Sequence, residues 1–212
     1  MNLFRIFQAA MLVSLALSAA VAQGQTMTKP KEFYFDQDVS TVRKIVVAQG
    51  EGEALAAELV KMRDRGRKSI EATAQLAHIA LSDNRAELGK TLYEQAVSGT
   101  AQNSSIGRAV RWNYAWDLYR NADYAQAFGL WNDLAAGFGT PAWLPPTMAL
   151  SLWSLDRKAE AVQWYAAAVR TEPALWSDPA NFAQLLPEWR EQDRARLIEV
   201  HAAWQANPPA WP

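Results

Sequence analysis

Residues 142–175 read AWLPPTMALSLWSLDRKAEAVQWYAAAVRTEPAL, and this stretch decides the fold. It divides into two segments of roughly a dozen residues, a usual length for a helix. Met148, Ala149 and Leu152 share one face of the first segment, and Ala161, Tyr165 and Ala168 share one face of the second, as amphipathic helices require. Asp156-Arg157-Lys158 supplies a short polar turn between them. Pro173 then closes the unit where a new helix can begin, because proline fits a first helical turn. The expectation is an antiparallel helical hairpin.

The same residues recur on either side at a fixed spacing of 34. Ala115, Ala149 and Ala183 form one series and Leu118, Leu152 and Leu186 a second. Ala127–Ala161–Ala195, Leu134–Ala168–Ala202 and the pair Trp131–Tyr165 keep the same period. A repeat of this length reads as stacked supersecondary units that share one continuous core. The spacing and the residue types resemble the tetratricopeptide repeat, whose pattern is met by Met148, Ala149, Leu152, Ala161, Tyr165, Ala168 and Pro173. The units fall at 36–69, 70–103, 108–141, 142–175 and 176–209, with an insertion from Ser104 to Gly107. Departures are Ala122, where the family usually has glycine, Gly139, where it usually has proline, and Arg43, where a small residue is usual. Pro187 is expected to break the first helix of the last unit early. The resemblance implies an all-α fold, a right-handed superhelical stack of antiparallel helix pairs over 36–209. A lead segment, 23–35, precedes it and an extended tail, 210–212, follows. A plain helical bundle is the alternative.

Residues 1–22 read as a secretory signal peptide. Arg5 gives a positive start, Met11 to Leu17 an apolar centre, and Ala20-Val21-Ala22 a cleavage site before Gln23. The alternative, an uncleaved anchor, has only the stretch Ala9 to Ala22 to work with, short of the roughly 20 residues a bilayer needs. The expected product is periplasmic, with secretion as the alternative, and has no stable membrane span after cleavage.

Composition narrows the chemistry. The 212 residues contain no cysteine and two histidines, His78 and His201, which leaves little for disulfides, thiolate sites or zinc chemistry. With 21 basic against 22 acidic residues the chain lacks the positive field of a nucleic-acid binder. No phosphate-cradling glycine loop and no nucleophile elbow is present. No nucleic acid, cofactor, metal or catalysis is therefore expected. The basic run Lys61 to Lys68 contains Gly66 and reads as a solvated helix end, where cations complement the dipole.

The resemblance also places a site. In that family certain positions of the first helix of each unit face a concave hollow. Carried over, these are Trp112, Trp116, Tyr119 and Arg120 in unit 108–141, Trp143, Leu150 and Trp153 in unit 142–175, and His78 in unit 70–103. Trp and Tyr give large contact area at low ordering cost, so this face suits a peptide or an exposed apolar segment. The implied function is a protein-protein interaction scaffold in the cell envelope. A glycan module stacking sugars on Trp116, Tyr119 and Trp153 is the alternative, and self-assembly through the stack ends a third reading. The lead segment carries three aromatics, Phe33, Tyr34 and Phe35, as a cap for the first repeat or a docking element.

Overall fold

The computed structural model describes residues 27–137 and 139–210, so the leader 1–22 and Trp211 lie outside the described residues. The described chain is all-helical. Its ten α-helices are α1 (Gly52–Asp64), α2 (Ser69–Ser82), α3 (Ala86–Ser98), α4 (Ser105–Arg120), α5 (Tyr124–Ala135), α6 (Leu144–Ser154), α7 (Lys158–Thr171), α8 (Pro173–Trp176), α9 (Phe182–Leu185) and α10 (Glu191–Ala206). Among the described residues the one β-type pairing is an isolated bridge between Asp36 and Pro141. No described helix is long and apolar enough to cross a membrane.

The pairs α2–α3, α4–α5 and α6–α7 are helical hairpins that fall on units 70–103, 108–141 and 142–175. All three turn in the same way. Asn84, Ala122 and Asp156 occupy equivalent positions and adopt left-handed φ values of 60°, 63° and 59°. The N–H of the next residue (Arg85, Asp123, Arg157) reaches back to the carbonyl of Ala80, Leu118 and Leu152 at 2.8, 2.9 and 2.9 Å. This is a Schellman C-cap, which explains why glycine suits that position and why Ala122 carries backbone strain there.

The periodic small residues sit where helices cross. Ala77, Ala115, Ala149, Ala127 and Ala161 are fully buried. Gly89 holds the matching place in α3, where a Cβ would come within 2.5 Å of the Leu81 side chain. The aromatic series Tyr93, Trp131 and Tyr165 fills the space between pairs, also fully buried. Helix α2 packs on α4, and α5 on α6.

Both ends depart from the repeat. The unit expected at 36–69 has only its second helix, α1; residues 36–51 carry none. The β-branched residues Val42, Ile45, Val46 and Val47 disfavour a helix there, and helix-borne side chains take up the backbone instead. In the unit expected at 176–209 the first helix is reduced to short pieces, α8, a 3-10 turn at Pro179–Asn181, and α9. Pro173, Pro179 and Pro187 punctuate this stretch, each without a backbone donor. Helix α10 then folds back against α6 and α7. Helix α1 ends at Asp64 and Gly66 follows with φ 108°, so the basic run is a helix end.

Candidate binding cavity

The segment from Met27 to Ala48 crosses the hairpins as an irregular strap that turns at Asp38. Its backbone begins at α5, where Thr28 N–H donates to Asn132 Oδ1 at 2.9 Å. Tyr34 is buried against the Trp164 ring, 6.3 Å between centroids, and its N–H reaches Thr171 Oγ1 at 3.4 Å. Asp38 is the main anchor. It accepts from Arg108 Nη2 at 2.8 Å, Trp143 Nε1 at 3.0 Å and Thr41 Oγ1 at 2.8 Å. Burial alone pushes its carboxyl upward, but the hydrogen bonds from Trp143, Arg108 and Thr41 prevail and hold it below the usual value.

Two first helices then grip the strap by side-chain amides. Asn113 of α4 donates to Arg43 O at 2.9 Å and accepts from Ile45 N–H at 3.4 Å. Gln75 of α2 accepts from Val47 and Ala48 N–H at 2.7 and 3.2 Å and donates to Ala48 O at 2.8 Å. Gln75 and Asn113 occupy equivalent positions in their units, and the third member of that series is Thr147 of α6. Thr147 is 1% exposed and its hydroxyl has no hydrogen-bond partner.

The stretch from Trp176 to Trp189 forms the opposite wall. Tyr165 Oη donates to Trp176 O, and Arg194 Nη1 donates to Trp189 O and, at 3.1 Å, to Leu186 O. The strap and this wall meet at an exposed Lys44–Glu188 ion pair. Between strap, wall and the helices α2, α4 and α6 lies a cavity of about 570 Å³, within the usual range for a ligand site, ~300–1,000 Å³. Five indoles line it: Trp112, Trp116, Trp143, Trp176 and Trp189. Four of them meet edge to face, with Trp112 on Trp143 at 4.8 Å between centroids and Trp116 on Trp189 at 5.1 Å.

The polar corner is built on Asp117, which is nearly buried. His78 Nδ1 lies 2.9 and 3.0 Å from its two oxygens, and Tyr93 Oη donates to it at 2.6 Å. The Asp117 hydrogen bond raises the His78 pKa; partial burial and the nearby charges of Arg120 and Lys44 oppose that shift. Burial, reinforced by Asp117, pushes the Tyr93 hydroxyl well upward. The Arg120 guanidinium lies over the Trp116 ring, 5.5 Å from its centroid, and 3.9 Å from Asp117 Oδ1. Its Nε is buried without a hydrogen-bond partner. Among the described residues no cluster of three or more side chains capable of holding a metal ion occurs.

Five of the eight residues singled out from the sequence line the cavity: His78, Trp112, Trp116, Arg120 and Trp143. The other three do not, because α10 covers that side of α6. Leu150 is fully buried core. Tyr119 is 2% exposed, and its hydroxyl joins Ser154 Oγ at 2.8 Å and Arg196 Nη1 at 3.1 Å. Trp153 donates to Glu199 of α10 at 2.8 Å, with Lys158 over its ring. The fold also brings Asp117 of the next hairpin to His78, a pairing that no spacing in the sequence marks. Trp189, which also lines the cavity, was not among the residues singled out; Pro187, two residues before it, was the available signal that this tryptophan lies off a helix. Compared with models of protein families, with curated proteins and with solved structures, the chain finds no match.

Proposed function

We propose that the protein is a binding module of the tetratricopeptide type, exported to the periplasm, without catalysis of its own. In this reading the hairpins form a right-handed superhelical stack, and the first helices α2, α4 and α6 face its hollow. The function is to hold a partner polypeptide of the cell envelope by an apolar side chain inserted into the tryptophan-lined cavity. One observation carries the reading: this face already holds an extended polypeptide, the chain's own residues 43–48, through the side-chain amides of Asn113 and Gln75. Main-chain hydrogen bonds with adjacent apolar pockets are a general way of binding extended segments. A stacked sugar would need an open indole face, whereas Trp112, Trp116 and Trp143 are at most 9% exposed. That exposure favours an inserted side chain over a glycan.

The test is crosslinking in intact cells followed by mass spectrometry. The partner set should be lost with Trp189→Ala, on the cavity wall, and retained with Trp153→Ala, under α10. Equal partner sets from both variants would overturn the assignment.

A further inference from the structure

The cavity's unused groups describe its guest. The indoles ask for an aromatic or large aliphatic anchor. Thr147, the third rung of the series in which Gln75 and Asn113 hold backbone, has a buried hydroxyl without a partner. A buried hydroxyl left unpaired is costly, and a backbone amide of a guest would satisfy it. Arg120, stacked on Trp116, has a 3.9 Å ion pair and a buried Nε–H without an acceptor. Asp117 is already shared by His78 and Tyr93, so Arg120 is open to a carboxylate from outside. The guest is thus an acidic segment with an aromatic anchor.

The chain itself displays such a segment. Among the described residues its exposed large hydrophobics include two aromatics, Phe33 and Phe35, at 57% and 56% exposure. Their rings stack on one another, with centroids 6.1 Å apart. Glu32 and Asp36 flank them, both exposed. Such an exposed apolar pair on a strap that is otherwise well anchored marks a contact surface.

We infer that the cavity of one copy receives the Glu32–Asp36 segment of a second copy, with Phe33 and Phe35 among the indoles and a flanking carboxylate on Arg120. This rests on the reading of the cavity as a binding site. Each copy carries one plug and one socket made of different residues, with Gln37 beside the plug lining the socket's edge, so the contact either pairs two copies reciprocally or builds a ring or an open chain.

Sedimentation velocity of the purified protein over a wide concentration range tests it. The wild type should show concentration-dependent association. Phe33→Ser with Phe35→Ser should weaken it by about tenfold or more, as loss of central aromatic anchors does. Thr147→Val with Arg120→Gln should weaken it comparably. The Thr147→Val single variant, which removes a hydroxyl without a partner, should leave the thermal midpoint unlowered and still weaken association. Mixing the plug-deficient and socket-deficient proteins should give a one-to-one heterodimer that neither forms alone. A monomer at every concentration, association unchanged by the phenylalanine substitutions, or failure of the mixture to pair would overturn the inference. If the protein stays monomeric while crosslinked partners still depend on Trp189, self-assembly falls and the cavity reading stands. Partners indifferent to Trp189 overturn the cavity reading instead.

Discussion

The three central hairpins and the two flanking segments are built on opposite principles. In the hairpins, residues 69–171, position within a unit decides everything: small residues at the crossings, a large aromatic between pairs, one left-handed residue in each turn. The flanks, residues 27–51 and 172–190, have little regular structure and are held by side chains of the hairpins and of α10. Yet the flanks supply two walls of the cavity. The hairpins provide a rigid floor of indoles, and the irregular ends enclose it. A repeat surface that is open in principle thereby becomes a bounded site.

Substitutions should separate the two regions. Trp131 is fully buried and its ring meets those of Trp112, Trp116 and Tyr119. Trp131→Ala should cost about 3–5 kcal/mol in chemical denaturation, since it opens a large cavity in the shared core. Asp38→Ala acts on a flank. It removes the ion-pair partner of Arg108 Nη2 and the acceptor of the Trp143 indole N–H, while Arg108 keeps Thr41 Oγ1 and Leu134 O, at a cost of about 3 kcal/mol. Hydrogen exchange should then speed up at Ile45, Val47 and Ala48 while the hairpin amides stay protected. Uniform exchange over both regions would erase the distinction between them.

pH sharpens the same contrast. The raised His78 pKa means that its contribution is fully present below the ordinary histidine value of 6.5 and fades as pH rises through the raised value. Asp38 is the reverse case: its lowered pKa gives stability present above 3.8 and lost as pH falls through the lower folded value. Urea titrations across pH should show the first slope vanish in His78→Gln and the acid slope shrink in Asp38→Asn. The smallest effect is local. Ala122→Gly relieves a left-handed residue in the α4–α5 turn and should stabilise by about 0.5–1 kcal/mol.

What was legible in the sequence follows this division. The period of 34 located the three hairpins, and the departure at Ala122 marked the strained turn. Periodicity reports local helix geometry and crossing distance, both of which recur in each unit. It extended the pattern too far at 36–51, because Val42 and Val46 lie in apparent register while Gln75 and Asn113, far along the chain, hold the backbone there. For the same reason five of the eight residues read from the sequence line the cavity, whereas Tyr119, Leu150 and Trp153 are packed away from it. The return of α10 over α6 is a tertiary event with no periodic signature. Asp117 paired with His78 is invisible to spacing, since the partners come from different hairpins.

The most direct test places a photo-crosslinking residue at Leu175, an exposed member of the cavity rim, and in a second protein at Leu88, exposed on α3 outside it. If the cavity is where the protein works, Leu175 captures a discrete partner in cells, Trp189→Ala abolishes that capture, and Leu88 does not reproduce it. The same partner captured from Leu88, or capture at Leu175 that ignores Trp189→Ala, would contradict the account.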